Sequence, residues 1–260
     1  LSDFLRHLGC GVCKKQFDSD RIWNLCPVCH NPLFAIYDLE KIGWLLKRDD
    51  LSSRPPTLWR YREFLPVDIS NDGSLGEGYT PLIRSINLGS TLGLGSLYIK
   101  DEGANPSGSF KMRGMAVALI QARELGIREV VVPSTGYAGI AAAAYANRIG
   151  IKIHLYLPVD TPEELIHKSR FLGGEVRLIE GFITDCIRAA ADDARLNGWF
   201  ELSPLRQPYQ IEGEKTLGLE LAEQMGWDLP DVIIFPTGTG SGLLAIGKAI
   251  EELMMIGWVS

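Results

Sequence analysis

From Glu129 to Met254 short apolar runs alternate with helical stretches, and this alternation limits the possible folds more than any other feature of the chain. "EVVVP", "KIHLYLP", "EVRLIE", "WFEL" and "DVIIFP" read as strands. Between and after them, "AGIAAAAYANRIG", "TPEELIHKSRFLG", "DCIRAAADDARLNG", "GEKTLGLELAEQMG" and "GLLAIGKAIEELM" read as helices. Thr161, with Pro162 at the first helical position and Glu164 three residues on, predicts the start of the second helix. Repeated strand-then-helix units imply parallel sheets covered on both faces. In such sheets ligands lie beyond the carboxyl ends of the strands, in the loops that enter helices. Three loops carry unusual residues: that around Lys111, "PSTGYAG" (133–139) and "PTGTGSG" (236–242).

The N-terminal part is built differently. Four of the five cysteines fall in the first 29 residues as Cys10-x-x-Cys13 and Cys26-x-x-Cys29, with twelve residues between the pairs. Two such knuckles wrap one tetrahedral metal with four thiolates, as in zinc ribbons; two disulfides are the alternative. The remaining cysteine, Cys186, stands alone, which favours a reducing compartment and a cytoplasmic protein. His30 adjoins a shell that four sulfurs already fill and reads as a bystander. "LEKIGWLLK" predicts a short amphipathic helix, "RPPTLWRY" a rigid extended connector, "GEGYTPL" a loop and "SLYIKDE" a strand.

A net charge of −6 and the lack of a basic run argue against a nucleic-acid surface. The alanine-rich run 139–146 is far too short to span a bilayer, and no signal-peptide pattern opens the chain. The first residue is Leu1, which points to a trimmed start.

"NPSGSFKMRG" (105–114) places a lysine where a helix begins. Pro106, Ser107 and Gly108 predict a turn and Ser109 a cap for a helix over about 112–125, with Met115, Leu119 and Ile120 on one face and Gly126 as the stop. The positive end of a helix is a poor place for a structural lysine. It suits a lysine whose amine must be neutral to attack an aldehyde. "PTGTGSG" follows an apolar run and precedes a helix, so Gly238, Gly240 and Gly242 bare backbone N–H groups at a helix start, as a phosphate cradle does; a merely tight turn is the plainer alternative. A dinucleotide G-x-G-x-x-G needs glycine where Leu243 stands, and the G-x-x-x-x-G-K window ending at Lys248 is followed by Ala249 and lies inside a helix. One phosphate and one reactive lysine together suggest pyridoxal 5′-phosphate.

"GEGYTPL", "KDEGANPSGSFKMRGM", "PSTGYAGIAAAAYA", "IEGEKTLGLELAEQMGW" and "PDVIIFPTGTGSGL" occur in an order that resembles the fold-type II pyridoxal-phosphate enzymes, and among them the threonine synthases and their dehydratase relatives. The N-terminal ribbon is similar to that of the longer threonine synthase-like members. The resemblance implies an α/β fold of two parallel-sheet domains flanking a cleft. Their limits would be a ribbon segment with its linker helix over 1–45, a larger, incomplete cofactor-binding domain over 46–114 and 206–260, and a smaller domain over 115–205. It implies Lys111 as the Schiff-base lysine, with Phe110 and Tyr137 beside the cofactor and Gly238, Thr239, Gly240, Ser241 and Gly242 around its phosphate. Ser134, Thr135, Gly136 and Ala138 would face the substrate carboxylate, and Cys10, Cys13, Cys26 and Cys29 would hold a structural zinc. The implied partner is a small amino-acid substrate, with neither nucleic acid nor membrane; a homodimer stays open. The reaction would be conversion of O-phosphohomoserine to threonine and phosphate, or removal of ammonia from threonine or serine.

The chain also departs from the family. Tyr137 stands where the family has an asparagine that bonds the cofactor's ring hydroxyl, Gln210 where relatives commonly have arginine, and Met112 where many have aspartate. The family pattern continues well past Ser260. A truncated or degenerate relative that binds without catalysing is therefore a further expectation.

Overall fold

The computed structural model describes residues 2–67 and 73–260; Leu1 and residues 68–72 lie outside the described residues. The ribbon comes first. β1 (Leu5–Cys10) pairs antiparallel with both β2 (Gln16–Phe17) and β3 (Leu33–Tyr37), in the order β2-β1-β3. α1 (Leu39–Leu45) follows directly, its first turn capped by Asp38, whose Oδ1 accepts the Lys41 N–H at 3.0 Å. The "RPPTLWRY" connector is not extended throughout. Residues Leu58–Phe64 wind into a 3-10 helix in which Leu58, Tyr61 and Phe64 recur every three residues and are buried. The backbone kinks at Tyr61, and Trp59, Arg60 and Glu63 are buried as well, so burial of nearly the whole segment overrides the extended bias of Pro55 and Pro56.

β4 (Leu82–Arg84) pairs antiparallel with β5 (Tyr98–Lys100) across α2 (Ile86–Leu92). α3 (Lys111–Glu124) opens the regular α/β part and is buried on all sides from Met112 to Ala122, not along one stripe. Then come β6 (Glu129–Pro133), α4 (Tyr137–Ile149), β7 (Lys152–Pro158), α5 (Glu163–Phe171), β8 (Glu175–Ile179), α6 (Ile183–Asn197) and β9 (Phe200–Glu201). The four strands form one parallel sheet in the order β8-β7-β6-β9. Period-two alternation explains why β6 reads as continuous valine: Val130 and Val132 face the main core with α3 and α4, while Val131 joins Tyr156, Cys186 and Ala190 under α6. Cys186 is thus a small core residue. α5 starts at Glu163, so Thr161 does not cap it; its N–H bonds Pro158 O at 3.0 Å and its buried hydroxyl has no partner.

α7 (Gln210–Gln224) and α8 (Ser241–Met255) complete the chain's elements. The predicted strand over 231–236 is not formed, and no second parallel sheet occurs among the described residues. A strand requires a neighbour for its hydrogen bonds. Here β4 and β5 pair with each other, and Val232 and Ile234 stay 74% and 93% exposed.

Arg113 on α3 is fully buried and fastens the loops before it to α7. Its guanidinium donates to Glu102 at 2.7 and 2.8 Å and to Glu220 at 2.7 and 3.1 Å. Asn105 continues the web, donating to Glu102 Oε2 at 3.0 Å and accepting the Gly78 N–H at 3.0 Å. Burial alone would push the Glu220 carboxyl up, but Arg113 and Lys100 outweigh it and hold the group below its ordinary range. A depressed carboxyl adds stability above its unfolded value of about 4.3, and that stability is lost as pH falls through the folded value. Glu220→Gln is therefore expected to cost about 3–5 kcal/mol at neutral pH by leaving Arg113 half-paired. In urea titrations the gap to the unsubstituted protein should narrow below about pH 4. A pH-independent gap would show that Glu220 acts through packing alone.

Candidate cofactor site and four-cysteine cluster

The four ribbon cysteines come together at the ends of hairpin-like turns. Cys10 ends β1 and Cys26 lies in the turn before β3, both buried. All four sulfurs lie within 4.8 Å of one another, with Cys10 Sγ–Cys29 Sγ at 3.4 Å and Cys13 Sγ–Cys26 Sγ at 3.6 Å. No disulfide joins them. A tetrahedral ion bound at about 2.3 Å sets its sulfurs roughly 3.8 Å apart, so the donor set fits a zinc ion. The ribbon is anchored to the body by Asn24, which donates to Glu201 O at 2.8 Å and Arg206 O at 3.1 Å. Tyr37, at the end of β3, lies under the amines of Lys215 and Lys248, 4.1 and 4.8 Å from its ring centre. Those lysines share the buried carboxylates Glu212 and Glu252. Burial would raise the Glu212 carboxyl, but the two lysines bring it below its usual range. Glu212 and Lys215 lie in the "IEGEKTLGLELAEQMGW" run and Lys248 ends the G-x-x-x-x-G-K window, but no motif gave any of the five residues a role; their signal is charge at positions otherwise patterned as core.

Lys111 is the first residue of α3, as its sequence setting requires, and Ser109 Oγ accepts its N–H at 3.3 Å. The side chain extends to α7 and α8. Its Nζ stands 3.0 Å from Glu214 Oε1 and 3.2 Å from Ser241 Oγ. Two glycines make this possible. A Cβ at Gly213 would lie 2.1 Å from the Arg113 carbonyl oxygen, and one at Gly114 would lie 2.6 Å from Gln210 Cγ. The backbones of α3 and α7 therefore approach closely enough for Glu214 to meet a lysine 103 positions away.

The 236–242 loop adjoins the same point. α8 starts at Ser241 with no side chain capping its first N–H groups, and Cβ atoms at Gly238 or Gly240 would meet nothing within 4 Å. Thr239 Oγ1 and Ser241 Oγ are 3.4 Å apart. Bare amides, two hydroxyls and open space are the donor set a phosphate needs. Gly242 is also required by packing: its Cβ would lie 2.6 Å from Phe235 and 3.0 Å from Phe110. Those two rings meet edge to face at 5.2 Å, and Lys111 Nζ lies 4.4 Å from the Phe110 ring centre. A cleft of about 360 Å³ opens beside them, lined by Tyr98, Lys100, Leu217 and Ile234 among others. A larger one, about 640 Å³, lies away from Lys111 between the ribbon and α8.

In the 133–139 loop the Ser134 hydroxyl is buried and accepts the N–H groups of Gly136 at 3.0 Å and Gly139 at 2.9 Å. It braces the turn, leaving Thr135 exposed and Ala138 half-buried. Gly136 adopts φ 137° and packs against Leu165. Tyr137 begins α4 half-exposed, with its ring 3.6 Å from where a Cβ on Gly108 would be. The loop thus reaches the Lys111 turn through Tyr137. Glu214 was missed by sequence reasoning; a glycine preceding it in a buried helix was the available sign of close approach.

A family model described as "Pyridoxal-phosphate dependent enzyme" matches residues 73–258. The chain belongs to this family, in its fold type II. Solved structures of several enzymes share the fold. A crystal structure of an aspartate racemase superposes with a TM-score of 0.61 at 26% identity, covering 68% of this chain and 55% of that one. Maize serine racemase gives 0.60 at 27% identity, covering 67% and 52%. Threonine deaminase isoform 2 of Solanum lycopersicum gives 0.59 at 26%, covering 68% and 48%. In sequence the chain is 38% identical over 250 residues to the threonine synthase of Methanocaldococcus jannaschii, covering 95% of this chain and 61% of that protein. It is 33% identical over 257 residues to that of Methanosarcina acetivorans, covering 96% and 61%. The chain therefore spans about three-fifths of the length of these two relatives. Among the described residues no helix is long and apolar enough to cross a membrane.

Proposed function

We infer that this chain is the cofactor-binding part of a threonine synthase-like lyase acting on a small amino acid. The observation that carries the reading is the Lys111 amine held 3.2 Å from the Ser241 hydroxyl at the start of α8. Lys111 would hold pyridoxal 5′-phosphate through its ε-amine, with the amides of 238–242 and the Thr239 and Ser241 hydroxyls on its phosphate and Phe110 and Tyr137 beside its ring. When bound, that group supplies an electron sink for negative charge at the substrate's α-carbon. The protein's own work is positional. Lys111 Nζ would be the base placed to take the substrate's α-proton. Ser134 keeps the 134–138 turn rigid, so Thr135, Gly136 and Ala138 can bind the substrate carboxylate. The Arg113 web holds the turn before Lys111 against α7.

The division into 1–45, 46–114 with 206–260, and 115–205 is part of this reading; the parallel sheet, contained between Glu129 and Glu201, supports its middle boundary. The ribbon would carry one structural zinc, and a four-thiolate site requires a reducing compartment, which supports a cytoplasmic location.

One observation favours the dehydratase alternative. Gln210 is buried and its amide donates to Glu214 at 2.9 Å, so this position offers no cation to a substrate phosphate. A product assay on the cofactor-loaded full-length protein separates the readings. Phosphate and threonine from O-phosphohomoserine are the expected result. A 2-oxo acid and ammonia from threonine or serine would replace it with the dehydratase, and no turnover of any of these would favour a binding role.

A further inference from the structure

We propose that Glu214 is the proton partner of Lys111: the pair shares one proton, and this carboxylate governs when the amine is free to react. The proposal rests on the reading of Lys111 as the cofactor lysine. Glu214 is fully buried on α7, and its Oε1 accepts from Lys111 Nζ at 3.0 Å and from Gln210 Nε2 at 2.9 Å. Its Oε2 is buried without a partner. A buried carboxylate with one bare oxygen is costly unless an opposite charge or a proton relieves it. Among the described residues the only ion pair Glu214 makes is with Lys111.

The neighbouring charges are engaged elsewhere. On α3, Arg113 is bonded to Glu102 and Glu220. On α7 and α8, Glu212, Lys215, Lys248 and Glu252 form their own cluster. Ser241 brings a hydroxyl and no charge. Gln210 keeps the carboxylate in place and is itself fixed by Gln207, whose Oε1 accepts the Gln210 N–H at 3.0 Å.

An ammonium cannot attack an aldehyde. Transfer of the shared proton breaks one N–H bond of Lys111 and forms one O–H bond on Glu214, leaving a neutral amine and a neutral carboxyl. Nothing else has to enter the buried site. While the proton stays on nitrogen the amine is held as an ion pair with Glu214 and is unreactive.

The test is acetylation of the cofactor-free protein by limiting acetic anhydride across the neutral-to-alkaline range. Labelling of the Lys111 peptide is read by mass spectrometry against Lys168, which is exposed on α5. Glu214→Gln keeps shape and removes the charge that holds the ammonium, so Lys111 should label about tenfold faster at neutral pH. Glu214→Asp keeps the charge and should stay near the unsubstituted profile. Superimposable profiles for Glu214→Gln and the unsubstituted protein overturn the proposal, as does an equal change in both variants, which would mean packing and not charge. Should Glu214→Gln fail to fold, the unsubstituted protein decides: a Lys111 profile identical to that of Lys168 overturns the pairing. Failure of pyridoxal 5′-phosphate to be fixed on Lys111 by borohydride would remove the cofactor reading and leave the labelling result standing.

Discussion

Lys111→Ala is expected to abolish the visible absorbance that develops when pyridoxal 5′-phosphate is added, and to leave borohydride nothing to fix at this position. The effect should be complete, because Lys111 is the amine beside the 236–242 loop. The fold should survive at a cost. Removing the amine strands the buried Glu214 carboxylate, which accepts a second bond from Gln210 only. About 1–3 kcal/mol of stability should be lost in urea titrations, and Glu214→Gln in the same chain should restore most of it by removing the charge. Tyr137→Asn should act in the opposite direction on binding and strengthen the absorbance several-fold. It trims a half-exposed ring beside Gly108 to a compact amide that can bond a ring hydroxyl. A weaker band in Tyr137→Asn would identify Tyr137 as an adapted cofactor contact. No band in any form at millimolar cofactor would reject the lyase reading.

Cys26→Ser is expected to release the metal and dismantle the ribbon. Elemental analysis should find about one zinc per chain in freshly purified, chelator-free protein and none in the variant. Structural zinc in small domains supplies on the order of 10 kcal/mol of apparent binding energy at neutral pH, more than the small core of Cys10, Cys26 and Leu33 can replace. Amide exchange should therefore rise throughout β1 to β3, and the environment of Trp23, packed on Phe17 at 5.1 Å, should change. The α/β body should remain folded, since most of the main core is formed by its own sheet and helices and the ribbon strands add only Leu8, Ala35 and Tyr37 to the buried residues. It should nonetheless weaken near Tyr37, because loss of that ring opens the Lys215–Glu212–Lys248–Glu252 cluster to water. A metal-free protein with an intact ribbon would rule the zinc site out.

Local chemistry made several features of this protein legible in its residues. Paired C-x-x-C knuckles marked four sulfurs that do converge, because each knuckle is a turn set by a few adjacent residues. Valine runs bounded by helical stretches marked a parallel sheet, because burial on both faces leaves no polar alternation. Lys111 at a helix start and the glycines of 238–242 were equally visible, since helix ends and tight turns are local events. Wherever the outcome depended on a distant partner, only the tertiary structure decided. The apolar run at 231–236 stayed out of a sheet because no strand runs beside it among the described residues. Residues Leu58–Phe64 coiled into 3-10 turns because all of them but Arg62 are buried. Glu214 met Lys111 because Gly114 and Gly213 let two helix backbones nearly touch, and Gln210 turned inward to that carboxylate, not outward to a substrate. Turns and helix ends are set by neighbours in sequence, whereas a buried charge is defined by the partner that the packing of helices brings to it.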